Sequence, residues 1–331
     1  MSIIITVVIL ALIFDFINGF HDTANAIATS VSTKAMTPRF AIFYAAVLNF
    51  LGAILFEGVA KNIGGSIADP FAIENGLWIV MAALISAIAW NLITWYFGIP
   101  SSSSHTLIGS LAGAVIAGAG FGTIHWPGFN KIILVLILSP IIAFAAGFVM
   151  MHLMRWIVIL LGNRSPGKVN RTFRLLQIVS AGGQAFSHGA NDAQKAMGII
   201  VFALIAGGFQ NELDVPFWVK AGAATAMGLG TAFGGMKIIK TVSKKIIKIQ
   251  PINGFASDLT STVVLQTATH FGMPLSTTHV ITSAIIGTGS AIRFRSINWT
   301  TVGRMVMTWV ITIPISMVIA FLIYKLMALF I

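Results

Sequence analysis

The chain of 331 residues is 57% hydrophobic and 9% charged, with a mean hydropathy of +0.92. A soluble globular domain carries about 25% charged residues, so the 20 basic and 9 acidic residues cannot cover a water-facing surface of this size. Composition therefore excludes a soluble enzyme, a nucleic-acid-binding domain and a disordered chain, and it predicts a polytopic membrane protein. Cysteine is absent, which excludes disulfides and thiolate metal sites.

Apolar stretches of about 20 residues, the length that crosses a bilayer as a helix, recur along the chain. Their ranges are 40–60, 77–97, 131–161, 218–238 and 305–330. Two further apolar segments, 2–17 and 175–186, run into polar motifs, and we expect broken helices there. Segments 105–121 and 280–292 follow serine and threonine clusters and are too short or too polar-flanked for simple spans. We predict that they belong to re-entrant helical hairpins.

The two halves of the chain repeat each other. The motif at 19–26 (GFHDTANA) aligns with that at 189–196 (GANDAQKA) at an offset of 170 residues. The motif at 98–105 (GIPSSSSH) aligns with that at 272–279 (GMPLSTTH) at an offset of 174 residues. Two matches in the same order and at nearly equal offsets indicate an internal duplication.

Loop charges indicate that the repeats are inverted. The loop at 31–40 is basic, whereas its repeat equivalent near 207–217 is acidic. The loop at 61–76 carries two acids and one lysine, whereas its equivalent at 237–250 carries five lysines. Since basic loops stay in the cytoplasm, equivalent loops of opposite character should lie on opposite faces of the membrane.

These features predict an all-α polytopic membrane protein with two inverted-topology repeats, broken helices and two re-entrant helical hairpins. Residues 1–162 form the first repeat, with a hairpin tip near 101–105. Residues 163–331 form the second repeat, with a hairpin tip near 274–279. The expected location is the plasma (inner) membrane, with the N-terminus outside and the basic loops, including 162–174, in the cytoplasm.

Asp22 and Asp192 occupy matching positions of the repeated motif at membrane depth. An ionisable side chain there costs at least ~2.5–3.5 kcal/mol without a partner or an aqueous cavity. The pair could be buried for helix association alone, but duplication of the whole motif favours a binding site. Asp15 and Glu57 are more typical of structural or rim positions, and Asp258 suits a gate or a structural pair equally.

Hydroxyl groups cluster at both hairpin tips, each followed by a histidine, His105 or His279. Serine and threonine cap exposed amides, and hydroxyls beside free helix-start amides also suit an oxyanion. The two histidines are more typical of hydrogen-bonded structural residues than of ligands. Lys195 is the only lysine expected near the midplane, where it could neutralise a carboxylate or attract an anion.

On these motifs, the sequence resembles the inorganic phosphate transporter (Pit-type) family. The segments at 19–28 and 189–196 are similar to the duplicated GANDVANA-type signature of that family, and the two hairpin tips add to the resemblance. The first copy has Phe20-His21 where Ala-Asn is usual. The resemblance covers essentially the whole chain and implies cation-coupled uptake of phosphate by an inverted-repeat transporter. It places four residues in the ion and phosphate site: Asp22, Asn25, Asn191 and Asp192.

Charge counting suggests how such a site works. The two aspartates supply −2, Lys195 at most +1, and phosphate roughly −1 to −2 near neutral pH. Because a low-dielectric midplane cannot hold this negative charge, cations must accompany the phosphate, and oxygen ligands suit Na⁺. The predicted phosphate-binding residues are Thr23, Ser104, Gln194 and Thr278. The predicted sodium ligands are Asp22, Asn25, Ser103, Asn191, Asp192 and Thr277, with Lys195 as a charge partner.

We therefore predict a secondary active transporter that imports phosphate with sodium by alternating access of the two hairpins. Proton coupling, transport of another oxyanion such as sulfate and, more remotely, an anion channel stay open. An enzyme is not expected, because the adjacency of Ser104 and His105 does not create a catalytic triad. The expected partners are phosphate, sodium or protons, the lipid bilayer and a second copy in a homodimer. Neither a cofactor beyond the coupling ions nor nucleic acid is expected.

Overall fold

The computed structural model describes residues 2–160, 162, 165–233 and 246–330. The helices are α1 (Ser2–Ser32), α2 (Pro38–Leu55), α3 (Gly58–Ser66), α4 (Gly76–Phe97), α5 (Ser103–Ala119), α6 (Trp126–Leu160), α7 (Pro166–Ala206), α8 (Phe217–Phe233), α9 (Pro251–His270), α10 (Thr277–Arg293) and α11 (Trp299–Met327). Parts of the predicted loops at 162–174 and 237–250, and the end of the span predicted at 218–238, lie outside the described residues. The predicted all-α class is confirmed.

Within the described part of the chain, five helices are long and apolar enough to cross a bilayer: α1, α2, α4, α6 and α11. The two predicted hairpins are the pairs α4–α5 and α9–α10, each joined by a short loop that carries the hydroxyl-rich motif. Ser102 caps α5 and Ser276 caps α10 in the same way, since each hydroxyl accepts a hydrogen bond from the backbone N–H of the following histidine, His105 or His279.

One detail differs from the expected architecture, because both polar motifs lie on continuous helices. Helix α1 runs without a break through Asp22, and α7 runs without a break through Asp192. Their carboxylates obtain hydrogen bonds from side chains of the hairpin tips, as described below. The backbone therefore does not need to unwind to supply polar partners at this depth.

The apolar core is divided by a polar layer. One large buried apolar cluster includes α1 up to Phe14 and α7 from Ala193 onward. A second cluster includes α1 from Ala24 and α7 up to Ala185. The polar motifs of both helices lie between the two clusters, and they are buried. Protein side chains alone therefore enclose a polar layer in the middle of the molecule.

Helices of one repeat pack mainly against helices of the other repeat. The most extensive contacts join α5 to α11 and, reciprocally, α10 to α6. In the same way α2 contacts α7, and α1 contacts α8. These four contacts form two reciprocal pairs, as two-fold related repeats require. The boundary between the repeats, placed at residue 162, stays a prediction.

Loops that were expected on the same membrane face lie together. Lys61 of α3 forms an ion pair with Asp214 of the 207–216 loop, with Nζ 2.7 Å from Oδ1. On the opposite face, the backbone N–H of Asn298 donates to the carbonyl of Ile246 at 3.0 Å. Two pairs of loop segments that were expected on a common face are therefore in contact, and the assignment of the faces stays a prediction.

Glycines allow the exchanged helices to approach closely. A Cβ at Gly189 of α7 would overlap the carbonyl of Asn49 in α2, and a Cβ at Gly19 of α1 would overlap that of Met227 in α8.

We expect Gly189→Ala to destabilise the protein by about 1–3 kcal/mol, as overpacking does. The measurement is the Tm of the detergent-purified protein. Gly303→Ala is the matched control, because no atom lies within 4 Å of that added Cβ; equal Tm values for both variants would contradict the close-contact role.

Candidate functional site

Asp22, buried in the middle of α1, joins both hairpins to this helix. Ser103 from the first hairpin donates to Oδ2 at 2.5 Å, and Thr278 from the second donates to Oδ1 at 2.9 Å. The ring nitrogen Nδ1 of His21 lies 2.7 Å from Oδ1. One carboxylate therefore receives hydroxyl groups from both halves of the chain.

Asp192 has an equivalent place in α7. Thr277 donates to its Oδ2 at 3.0 Å, which repeats the contact between Ser103 and Asp22. Lys195 donates to Oδ1 at 2.5 Å, and Nε2 of His188 lies 3.6 Å from Oδ2. The duplication that the sequence indicates thus extends to individual side-chain contacts.

The two repeat-related carboxylates meet in the polar layer. Asp22, His188 and Asp192 each offer one ligand atom, and these atoms all lie within 4.8 Å of one another. All three side chains are buried. Carboxylate and hydroxyl oxygens at this spacing form a donor set suited to a hard cation, and this is the position at which sodium is expected.

Asn25 and Ser104 lie at the contact between the two hairpin tips. Asn25 donates through Nδ2 to Oγ1 of Thr278 at 2.9 Å, while its Oδ1 is buried without a hydrogen-bond partner among the described residues. Ser104 donates to the carbonyl of Leu275 at 2.8 Å, so the first tip binds the second directly. The free oxygen of Asn25 is available to a cation.

Asn191 holds the tip of the second hairpin. Its Nδ2 donates to the Thr269 hydroxyl at 3.1 Å and to the Met273 carbonyl at 3.2 Å, and its Oδ1 accepts from the backbone N–H of Leu275 at 3.2 Å. This side chain therefore connects α7 to both ends of the α9–α10 turn. Its predicted role as a sodium ligand stays a prediction.

Two of the predicted phosphate ligands, Gln194 and Thr23, bond to groups other than the central carboxylates and the hairpin tips. Gln194 accepts through Oε1 from the backbone N–H of Val59 at 2.7 Å and of Ala60 at 3.2 Å, so it caps the start of α3. Thr23 accepts from Nδ2 of Asn49 at 2.9 Å and lies 3.0 Å from the hydroxyl of Thr231. The structure does not bring these two residues into direct contact with the carboxylates.

Asn49 and Thr231 were missed by sequence reasoning. Both are buried, and Asn49 also lies 3.0 Å from Nδ1 of His188 through its Oδ1. A polar side chain inside an apolar membrane span is costly and usually functional. Their isolated positions within the predicted spans at 40–60 and 218–238 were the available signal.

The two tip histidines contact each other across the two-fold relation. The ring centroids of His105 and His279 are 4.4 Å apart, and His279 lies 4.0 Å from the ring of Trp309 in α11. Nδ1 of His105 is 2.9 Å from the hydroxyl of Ser102. His105 is thus hydrogen-bonded, as the sequence favours, whereas both ring nitrogens of His279 are buried without a hydrogen-bond partner among the described residues, and its contacts are with rings.

Asp258 lies between three helices, away from the central carboxylates. Thr29 of α1 donates to its Oδ1 at 2.6 Å, and Gln177 of α7 donates to its Oδ2 at 3.2 Å. Thr33 in turn donates to Gln177 at 2.6 Å. Both carboxylate oxygens thus have partners, and the residue connects α9 to α1 and α7.

Glu57 forms a surface ion cluster outside the membrane-spanning helices. Lys61 lies 3.0 Å from its Oε1, and Lys220 of α8 bonds to its Oε2. Hydrogen bonds from Lys220 and Lys61 lower the pKa of Glu57 from its ordinary value of 4.5. A lowered pKa in the folded state stabilises the fold above the unfolded-state pKa, and this contribution is lost as pH falls through the folded-state pKa.

We therefore expect Lys220→Met to lower the free energy of unfolding at pH 7 by about 0–1 kcal/mol, the contribution typical of an exposed ion pair. The Tm should fall slightly as a result. The difference from wild type should shrink below pH 4.5, the ordinary pKa of this carboxyl, as Glu57 becomes protonated. Thermal unfolding of both proteins across a pH series measures this difference in Tm. Lys248→Met, at another exposed lysine, is the control, and a Tm difference for Lys220→Met that persists at low pH would contradict the ion-pair explanation.

Comparison with known proteins shows which family the chain belongs to. The profile described as the Phosphate transporter family matches residues 18–320. The chain is 57% identical over 313 residues to a "Probable low-affinity inorganic phosphate transporter" of Bacillus subtilis, covering 94% of this chain and 93% of that protein. A "Putative phosphate permease TK2061" of Thermococcus kodakarensis is 29% identical over 380 residues, covering 93% and 94%.

The fold also has a solved counterpart. A structure described as "The sodium-dependent phosphate transporter" superposes with a TM-score of 0.90 at 24% identity, and the match covers 100% of both chains. This likeness confirms the predicted helical membrane fold with inverted repeats. The family and the named relatives are transporters, which confirms that the chain is not an enzyme. With a profile matched over residues 18–320 and a relative 57% identical along almost its whole length, the chain belongs to the phosphate transporter family and is a multi-pass membrane protein.

Proposed function

We propose that this protein imports inorganic phosphate together with sodium ions by alternating access. The observation that carries the proposal is the meeting of Asp22 and Asp192, whose ligand atoms lie within 4.8 Å of each other and of His188. Hydroxyl groups from both hairpin tips bond to these carboxylates. Movement of either hairpin would therefore change the site directly.

Charge balance supports cation coupling. Lys195 is committed to Asp192 at 2.5 Å, so Asp22 keeps its negative charge without a lysine or arginine partner among the described residues. Phosphate adds roughly −1 to −2 near neutral pH. A buried site with this excess negative charge is unfavourable unless positive ions bind with the substrate.

The proposed ligands are those that the sequence predicted. Sodium would bind to oxygens of Asp22, Asn25, Ser103, Asn191, Asp192 and Thr277. Phosphate would bind to Thr23, Ser104, Gln194 and Thr278 together with tip amides. Binding of phosphate then requires all four of these side chains to exchange their present hydrogen bonds for bonds to the substrate. The name of the structural neighbour describes that protein as sodium-dependent, which favours sodium over protons here.

Uptake of radiolabelled phosphate into proteoliposomes tests the coupling. A sodium gradient imposed at equal pH should drive accumulation, whereas a pH gradient imposed without sodium should not. The reverse result would replace this proposal with a proton symporter. Uptake that needs neither gradient would indicate an anion channel, and competition by unlabelled sulfate would indicate a broader oxyanion transporter.

The orientation and assembly are also proposals. With the N-terminus outside, a cysteine replacing Lys61 should react with an impermeant thiol reagent in intact cells. A cysteine replacing Lys168 should react only after permeabilisation, and the opposite pattern would invert the topology. The absence of native cysteine makes both labels specific. Crosslinking in native membranes tests the proposed homodimer.

A further inference from the structure

A second buried polar cluster lies on α1, two turns before Asp22. Asp15 and Asn18 of α1 and Asn91 of α4 are each 0% exposed. Among the described residues, both carboxylate oxygens of Asp15 and both amide atoms of each asparagine lack a hydrogen-bond partner. Each buried polar group left in this state costs about 1–3 kcal/mol. Six buried side-chain atoms of these three residues can therefore still accept or donate a bond to a ligand.

The register of α1 and α4 places these residues together. Nε2 of His21 lies 3.2 Å from Oγ1 of Thr94, which pairs positions that are 73 residues apart. The N-terminal parts of both helices belong to one apolar cluster, while Trp95 and the later part of α1 pack in the other, so the helices run in parallel. One turn earlier on each helix, Asn18 and Asn91 therefore lie at the same level.

Asp15 follows one further turn along the same face of α1. The Asn18 amide lies beside this carboxyl group without reaching hydrogen-bond geometry, and Asp192 and Lys195 are within electrostatic range of it. Lys195 is already paired with Asp192, so Asp15 has no cationic side chain of its own among the residues described. Its repeat equivalent is Ala185. The cluster is thus a single-copy feature, unlike the duplicated central site.

Asp258, the other buried acid without an acidic repeat equivalent, has the hydrogen-bond donors that Asp15 lacks. Both oxygens of Asp258 accept hydrogen bonds, from Thr29 and Gln177. Asp15 has a comparable depth of burial and no such donors at hydrogen-bond distance. A carboxylate with two amide oxygens nearby is a hard-oxygen donor set that suits Na⁺. A lone buried carboxyl group is neutralised either by a proton or by a bound cation, and the two amide oxygens provide ligands for the cation.

We propose that Asp15, Asn18 and Asn91 form a separate sodium site, distinct from the ligands at Asp22 and Asp192. The proposal rests on sodium coupling as proposed above. In the proposed orientation this site lies on the outer side of the central site, so it would receive an ion before the ion reaches Asp22.

Equilibrium binding of radiolabelled sodium to the purified full chain, without phosphate, tests this site. Asp15→Asn should bind one sodium ion fewer per chain or raise the Kd of that ion at least about tenfold, the loss expected for one charge-assisted ligand. Asn91→Leu removes an amide oxygen but keeps the charge, and it should weaken the same ion. Asp22→Asn is the comparison, because it should retain this ion and lose sodium at the central site.

The outcomes separate the two proposals. Sodium binding by Asp15→Asn and Asn91→Leu that equals wild type overturns the second site and leaves the central one intact. A change only in the pH dependence of uptake overturns it too, because Asp15 would then hold a proton. If wild type binds no sodium at all, the proposed coupling itself fails. Should Asp15→Asn not fold, Asn91→Leu gives the same readout.

Discussion

Phosphate uptake by proteoliposomes that carry Asp22→Asn or Asp192→Asn is expected to fall at least about 100-fold, which corresponds to roughly 2.8 kcal/mol. The amide keeps the size of the side chain and an oxygen that can still accept from Ser103 or Thr277. It removes the charge that recruits a cation into a buried site. The loss should therefore reflect electrostatics more than packing.

The control for this pair is Asp69→Asn. Asp69 is an exposed loop residue whose Oδ1 accepts a hydrogen bond from the backbone N–H of Phe71 at 2.9 Å, and the substitution is chemically identical. Its uptake should equal wild type, and all three variants should show similar Tm values if they fold normally. Near-normal transport by both Asp22→Asn and Asp192→Asn would refute the central site.

Lys195→Met is expected to destabilise the protein by about 3–5 kcal/mol, the usual result of removing one partner of a buried ion pair. The ammonium group lies 2.5 Å from Asp192, and both side chains are buried. Without it, Asp192 becomes an uncompensated charge in the polar layer. The Tm of the purified protein in detergent measures this loss.

The double variant Lys195→Met/Asp192→Asn distinguishes the two roles that the sequence left open for Lys195. If the lysine neutralises the carboxylate, the double variant should regain most of the lost Tm but not phosphate uptake. If the lysine instead attracts phosphate, Lys195→Met should keep a normal Tm and raise the KM for phosphate. Lys131→Met, at an exposed lysine, is the control for the loss of positive charge.

Repetition made much of the central site predictable. Because both motifs occur twice, the sequence placed Ser103 and Thr277, which are equivalent positions of the two tips, among the sodium ligands together with Asp22 and Asp192. In the structure two contacts join these residues, between Ser103 and Asp22 and between Thr277 and Asp192. Loop charges likewise grouped the loop at 61–76 with that near 207–217, and the structure joins these two segments through the ion pair between Lys61 and Asp214. Both inferences depend on comparing one half with the other.

Contacts that are not indicated by the repeated motifs could not be predicted by comparing the two halves. Gln194 caps α3 because that short helix begins beside α7, and nothing in its motif indicates such a neighbour. Asn49 and Thr231 bond near Thr23 through helix crossings between distant segments. The continuity of α1 and α7 depends on hydrogen bonds that arrive from elsewhere, whereas a polar run in isolation favours a break.

The exchange of helices between the repeats has a consequence for biogenesis. When the ribosome has completed α6, the faces of α5 and α6 that will contact α11 and α10 still lack their partners. Until the second half is inserted, the first half therefore cannot complete its helix packing, and its glycine-lined faces contact lipid. Assembly is completed only when the last helix reaches α5, so shortening the chain at its C-terminal end would leave the first hairpin without its main support.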